Sequence, residues 1–246
     1  MTNQLITDVK ICGLSDSVSI EAAIEGGARQ LGFIFFEKSP RNISAHLAGE
    51  LTNRYKGEIK RIAVSVNASD SMLEEIIEKM DPDQLQLHGS ESPDRVKNIK
   101  KQFGLPVIKA FAIRHPSDFG PVEKYAGLAD RLLFDAKPPA GAELPGGNGV
   151  AFDWKLFADW QDQHYFQNNE RGKDKLLDSS TSPMLSGGIN PKNIGTALAN
   201  SNAQAVDISS GVEKSPGVKD PVLITAFLEQ VKRFDSLRDN RRKDNG

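Results

Sequence analysis

The chain has 246 residues, 38% of them hydrophobic and 26% charged, with a formal net charge of −2. This composition argues against a disordered chain, and the absence of a basic excess argues against nucleic acid or an anionic membrane as a partner. A single cysteine excludes an internal disulfide and predicts a reducing compartment such as the cytoplasm. The sequence contains no signal-peptide pattern, no run of ~18 apolar residues that would span a membrane, and no ligand pattern for a metal.

Eight short apolar segments alternate with longer segments of helical spacing. The predicted strands cover residues 5–12, 31–36, 61–66, 84–88, 106–111, 131–136, 184–187 and 205–210. The predicted helices lie near residues 16–27, 44–55, 70–80, 92–103, 117–126, 152–160, 190–199 and 219–234. Strands that alternate with helices predict right-handed βαβ units and a parallel sheet.

Eight such units in a chain of this length favour a closed (β/α)8 TIM barrel over an open doubly wound sheet. An open nucleotide-binding sheet predicts a glycine-rich fingerprint after the first strand, whereas residues 12–15 read Cys-Gly-Leu-Ser. We therefore expect one barrel domain over residues 1–246, with two additions. A polar insertion at about 161–182 is expected to extend the sixth helix and then loop over the bottom face. A charged C-terminal tail, 235–246, is expected to be solvated, mobile surface.

Active sites of barrels lie at the C-terminal ends of the strands, so the residues at those ends are the candidates. Lys10 and Cys12 share one face of the first strand, and Ile11 points to the other. If the shared face is the barrel interior, the ammonium is expected to lower the pKa of the thiol and so supply a base or nucleophile. The alternative is a small buried cysteine without a chemical role. Asp135 ends the sixth strand directly after three apolar residues, where burial favours the neutral form that a general acid needs.

The last two strands both lead into loops suited to an anion. The seventh runs into Gly187 and Gly188, and the eighth into Ser209, Ser210 and Gly211. In barrels these two loops often hold a phosphate through exposed backbone N–H groups, which glycine allows to approach closely. Together they predict a phosphate-binding site.

Three further features lie near the predicted rim. Arg41 follows the second strand and offers a fork for a carboxylate, although its spacing alone equally fits a surface arginine. The glycine-rich loop at 144–149 is either a flap over the substrate or an ordinary turn. His88 ends the fourth strand and is expected to act at most as a wall of the pocket.

Motifs at every predicted strand end together resemble one known family. These are VKICGLSD (9–16), GFIFFEKSPRNIS (32–44), LQLHG (85–89), VIKAF (107–111), LLFDAKPP (132–139), PGGNGVAFDW (145–154), LSGGINPKNI (185–194) and AVDISSGVEKSPGVKD (205–220). In this order, over residues 8–234, they are similar to phosphoribosylanthranilate isomerases of tryptophan biosynthesis.

The resemblance implies a (β/α)8 barrel without a cofactor or metal, cytoplasmic, and monomeric or homodimeric. It implies an Amadori rearrangement of N-(5-phosphoribosyl)anthranilate, a phosphorylated aminoaldose, with Cys12 as the general base and Asp135 as the general acid. Arg41 falls on the family's arginine for the anthranilate carboxylate, and Asp207 on an aspartate near the site. The phosphate-binding positions are Gly187, Gly188, Ser209, Ser210 and Gly211.

Some residues depart from the family pattern, and two other functions stay open. Asn148 and Ala136 stand where threonine is common in the family (at Ala136 also serine), and the insertion and tail are extra. A related histidine-pathway isomerase is one alternative, but it usually has a carboxylate where this chain has Cys12, and its substrate carries two phosphates. A phosphate-binding barrel that is not an enzyme, with Cys12 as a redox sensor, is the other.

Overall fold

Eight parallel strands close into a barrel in a computed structural model that describes residues 7–137, 146, 153–166 and 182–244. Strand order follows chain order, and the last strand pairs with the first. The strands are β1 (Asp8–Cys12), β2 (Gln30–Phe35), β3 (Lys60–Ser65), β4 (Gln84–Leu87), β5 (Val107–Ile113), β6 (Arg131–Ala136), β7 (Met184–Leu185) and β8 (Ala205–Ile208). The (β/α)8 prediction is confirmed, with strand bounds close to those expected.

Helices cover the outside of the barrel. They are α1 (Ser17–Glu25), α2 (Ala45–Thr52), α3 (Asp70–Met80), α4 (Pro93–Phe103), α5 (Trp154–Gln161), α6 (Ile194–Ser201) and α7 (Pro221–Asp244). The first four begin after a residue whose side chain accepts a hydrogen bond from the backbone N–H three positions on; these residues are Asp16, Ser44, Ser69 and Ser92. In the part of the chain that the structure describes, no helix is both long and apolar enough to cross a membrane.

The helix predicted near 117–126 is wrong. Two short 3-10 turns, Pro116–Phe119 and Val122–Tyr125, occupy this segment. Pro121 lies between them, and a proline there cannot donate the backbone hydrogen bond that would join the turns into one helix. The turns still cover the barrel, because the ring of Phe119 packs 5.3 Å from that of Phe134.

The charged tail predicted from residue 235 continues the last helix to residue 244, and the expected solvation does not hold at Asp235. Asp235 lies on this last helix, α7, and is buried. Its carboxylate accepts hydrogen bonds from the backbone N–H and the hydroxyl of Thr7, at 2.8 and 2.7 Å. These bonds tie the C-terminal helix to the chain just before β1.

Part of the polar insertion extends the sixth barrel helix as predicted. A π-helical turn, Asp162–Phe166, continues directly from α5. Residues 167–181, including the expected loop over the bottom face, lie outside the described residues.

Alternation along the strands separates two apolar layers. Side chains that point inward form a small cluster inside the barrel: Cys12, Ile62, Val64, Ile108, Ala110, Leu133, Met184 and Ala205. Their neighbours in sequence, such as Ile11 and Leu132, join the larger cluster between strands and helices. The prediction that Cys12 faces inward and Ile11 outward is confirmed.

We expect Asp235→Asn to lower the free energy of unfolding by about 1–3 kcal/mol, because it weakens two buried hydrogen bonds to a charged group. Asp239→Asn, the same change one turn further along α7, is the control and is expected to cost less than ~0.5 kcal/mol. Urea denaturation of both variants measures the difference. Equal stabilities would mean that the contact with Thr7 does not hold the helix.

Candidate active site

A pocket opens at the carboxyl ends of the barrel strands. Residues from both sides of the barrel line it, and it brings together every site residue that the sequence predicted: Cys12, Arg41, His88, Asp135, Gly187, Gly188, Asp207, Ser209, Ser210 and Gly211. The expected convergence of thiol, carboxyl group and glycine loops in one cavity is therefore present.

Cys12 lies beside a buried ion pair. Lys10, one inward position below it on β1, has no exposed surface, and its Nζ donates to Asp207 Oδ1 at 2.8 Å. Ser186 Oγ donates to the other oxygen of Asp207 at 3.3 Å. On the neighbouring strand, Gly32 makes room for this group: a Cβ there would stand 2.9 Å from both Cys12 Sγ and Lys10 Nζ.

The predicted direction of the thiol's pKa shift is wrong. Burial raises the pKa of Cys12 above its ordinary value; Lys10 lowers it, but burial and the charge of Asp207 outweigh that effect. For Lys10, burial acts in the opposite direction and lowers the pKa, but Asp207 and Cys12 together raise it above the ordinary value. These shifts favour the ammonium form of Lys10 and the thiol form of Cys12.

Asp135 stands at the end of β6, where its two oxygens face different neighbours. Its Oδ1 accepts from the backbone N–H of Ala136 at 2.9 Å, and its Oδ2 lies 3.4 Å from His88 Nε2. The other ring nitrogen of His88 lies 3.0 Å from the amide nitrogen of Gln86. His88 is thus more than the pocket wall that was expected, since it contacts the candidate acid.

Gly146 covers this pair from the loop at 144–149. A Cβ on Gly146 would stand 2.5 Å from Asp135 Oδ2 and 2.7 Å from His88 Nε2, so only a glycine permits this approach. The rest of the loop lies outside the described residues, and its role as a flap stays a prediction.

The two predicted phosphate loops pack against each other through their backbones. Gly187 and Gly188 have φ values of +86° and +64°. Gly211 lies in a 3-10 turn, Ser210–Val212, where a Cβ would stand 2.0 Å from the carbonyl oxygen of Ile189. This contact holds the loops after β7 and β8 side by side at the rim.

Arg41 is buried and already engages a carboxylate of the protein. Its Nε and one terminal nitrogen donate to the two oxygens of Glu213, at 2.7 and 2.9 Å. Lys219 Nζ donates to Glu213 Oε1 at 2.6 Å, and to the backbone and hydroxyl oxygens of Ser209 at 2.9 and 3.2 Å. The arginine fork therefore belongs to a charge cluster next to the eighth-strand loop.

Sequence reasoning missed Glu213 and Lys219. They meet because β9 (Glu213–Ser215) and β10 (Val218–Lys219) form a small antiparallel hairpin. Burial raises the pKa of Glu213, but the hydrogen bond from Arg41 and the charge of Lys219 bring it below its ordinary value. The Pro-Gly pair at 216–217 was the available signal, since it is typical of a tight turn that joins two strands.

No group of three or more His, Cys, Asp or Glu side chains among residues 7–137, 146, 153–166 and 182–244 is arranged to hold a metal ion.

Comparison with known proteins identifies the family. The profile of N-(5'-phosphoribosyl)anthranilate (PRA) isomerases matches residues 9–230. The chain belongs to this family. It is 51% identical over 231 residues to the N-(5'-phosphoribosyl)anthranilate isomerase of Sinorhizobium fredii, which covers 94% of this chain and 96% of that protein. It is 50% identical to the isomerase of Rhizobium meliloti, over 94% of this chain and 99% of that one.

Solved structures of the family share the fold. The phosphoribosylanthranilate isomerase of Thermotoga maritima superposes with a TM-score of 0.77 and 29% identity, over 93% of this chain and 100% of that one. A family member has also been solved in complex with reduced 1-(o-carboxyphenylamino)-1-deoxyribulose 5-phosphate, with a TM-score of 0.74 and 28% identity, over the same shares of the two chains.

We expect the rate of Cys12 alkylation by iodoacetamide to rise with pH, with a midpoint above that of an ordinary cysteine, because the thiolate reacts and burial opposes it. Lys10→Met is expected to move the midpoint higher still, because it removes the cation that favours the thiolate. Cys12 is the only cysteine, so the measured rate belongs to it alone.

Lys109→Met is the matched control. Lys109 is also a buried barrel lysine paired with a carboxylate, at 3.0 Å from Glu91, but no charge interaction links it to Cys12. It should leave the midpoint in place. A midpoint that stays put or falls in Lys10→Met would refute the assigned role of Lys10.

Proposed function

We propose that this pocket performs the isomerisation after which the family is named. N-(5-phosphoribosyl)anthranilate would be converted to 1-(2-carboxyphenylamino)-1-deoxyribulose 5-phosphate, an aldose–ketose rearrangement in tryptophan biosynthesis. The observation that carries the proposal is that one pocket is lined by a thiol from β1, a carboxyl group from β6 and the two glycine loops after β7 and β8. The product-like ligand in the solved relative supports the same chemistry.

Asp135 is proposed to open the sugar ring. Its carboxyl proton passes to the ring oxygen as the bond between that oxygen and C1 breaks. The lone pair of the anilino nitrogen forms the C=N bond of an iminium, and Asp135 is left as a carboxylate. The backbone N–H of Ala136, 2.9 Å away, is placed to stabilise that charge.

Cys12 is proposed to remove the proton from C2. Cys12 first loses its thiol proton to solvent, and the resulting thiolate accepts the C2 proton. The C–H electrons form a C1=C2 bond and the iminium nitrogen becomes neutral, which gives an enolamine and leaves Cys12 as a thiol again. The Asp135 carboxylate takes up a proton from solvent before the next turnover. Tautomerisation of the enolamine then leaves a ketone at C2 and a CH2 group at C1. Lys10 supports the thiolate that this step needs, because it is a cation adjacent to the sulfur.

The loops after β7 and β8 and the side chain of Arg41 are proposed to hold the two ends of the substrate. The phosphate would lie against the backbone of Gly187–Gly188 and Ser209–Gly211, where glycine gives access to N–H donors. Arg41 would receive the anthranilate carboxylate, in competition with or beside Glu213, which it contacts in this structure. Holding both ends positions C1 and C2 between acid and base.

The proposed cellular location rests on the chemistry of the Cys12 thiol. A base that must stay reduced supports a cytoplasmic location. No cofactor or metal enters the proposed steps. A phosphorylated small molecule is the proposed partner, with a monomer or a homodimer as the assembly.

We expect Cys12→Ala and Asp135→Asn each to lower kcat by about 10²–10⁴-fold, the usual share of one proton transfer, while the product analogue still binds. The loss of substrate fluorescence measures turnover, and calorimetry measures binding. Asp130→Asn is the control, because Asp130 lies at the opposite end of β6 and accepts from Val107 N–H.

Near-normal turnover in both variants would refute the assigned roles. A wild-type protein inactive on this substrate but active on the histidine-pathway aminoaldose would favour that alternative. Ligand binding without turnover of either substrate would favour the barrel that is not an enzyme.

A further inference from the structure

A chain of polar side chains runs from the barrel interior to Asp135. Gln86 lies on β4 and His88 directly follows this strand, two positions on, and both side chains line the pocket inside the barrel. Gln86 has no exposed surface, and its amide nitrogen lies 3.0 Å from His88 Nδ1. His88 Nε2 in turn lies 3.4 Å from Asp135 Oδ2.

This arrangement selects one form of the His88 ring. An amide nitrogen can only donate a hydrogen bond, so the ring nitrogen that faces it, Nδ1, must accept. A neutral imidazole that accepts at Nδ1 carries its proton at Nε2. The ring therefore presents an N–H to the carboxyl group of Asp135.

Gln86 gives up hydrogen-bonding capacity to do this. Its side-chain oxygen is buried and has no hydrogen-bond partner among the described residues. An unpaired buried acceptor is costly, whereas an apolar side chain of similar size would fill the same space without that cost. The buried inward residues on the strands beside it are apolar: Ile62, Val64, Ile108 and Ala110. An amide at this position is thus not explained by packing.

We propose that Gln86 is a positioning residue that fixes His88 as its Nε2–H tautomer, so that the ring donates to Asp135. The inference rests on the proposed role of Asp135 as general acid. When Asp135 gives its proton to the ring oxygen, a carboxylate forms, and the Nε2–H of His88 stabilises it from a fixed position. With the proton on Nδ1 instead, the Nε2 lone pair would face the new charge and oppose the step.

The test reads the tautomer and the turnover separately. Nitrogen-15 NMR of histidine-labelled protein distinguishes a protonated from an unprotonated ring nitrogen, and a His88→Gln variant assigns the His88 signals among the four histidines. We expect Nε2–H in the wild type. Gln86→Leu should mix the tautomers, and Gln86→Glu, whose carboxylate accepts, should place a proton on Nδ1.

Both variants are expected to lower kcat by about 10- to 100-fold, the effect of losing a hydrogen bond to a charged group, with KM changed less. Gln161→Leu is the matched control: Gln161 is also buried, and donates to the carbonyl oxygen of Ser201 at 2.8 Å on the outer helices. This variant should change neither the tautomer of His88 nor kcat.

Each other outcome overturns the inference. An Nδ1–H tautomer in the wild type does so without any variant, so the test survives a variant that fails to fold. A tautomer change at constant kcat, or a fall in kcat at constant tautomer, shows that Gln86 does not act through His88. Failure of the proposed function is a different result: the wild type would lack turnover while the NMR result still stood.

Discussion

The pairing of Lys10 with Asp207 inside the barrel is the interaction on which the rest of the site depends. A lysine with no exposed surface is tolerated only with a well-placed counter-charge, and Asp207 Oδ1 supplies it at 2.8 Å. The two residues are 197 positions apart but lie in register across β1 and β8. These strands are neighbours only because the barrel closes. The ion pair beside Cys12 therefore forms only when the barrel is closed.

The proposed base, Cys12 at the end of β1, and the proposed acid, Asp135 on β6, have different surroundings. Cys12 depends on a buried cation, which favours the thiolate against the cost of burial. Asp135 accepts a hydrogen bond from the backbone N–H of Ala136, and His88 Nε2 lies 3.4 Å from its other oxygen. Groups that must hold opposite protonation states need such unlike surroundings, because a single environment would push both in the same direction.

Sequence patterns could predict which residues meet but not how strongly each is perturbed. Alternation placed Cys12 and Asp135 inside the barrel, and parallel strands placed them at one rim. The pKa direction of Cys12 was missed because desolvation depends on all the surrounding atoms. Glu213 and Lys219, the charged partners near Arg41, were missed. They come together through a hairpin that is not part of the alternating strands and helices of the barrel. The helix at 117–126 failed for a local reason, the proline at 121.

Gly32 shows how the site limits which residue can stand on the neighbouring strand. A glycine within a strand weakens it and marks a close approach, and here the approaching atoms are Cys12 Sγ and Lys10 Nζ. Most other barrel interior positions carry apolar side chains that pack against one another. At this position a side chain is absent so that a thiol and an ammonium can lie together. The thiol and the ammonium thus fill interior space that a side chain at residue 32 would otherwise take, while the larger apolar cluster lies between the strands and the helices.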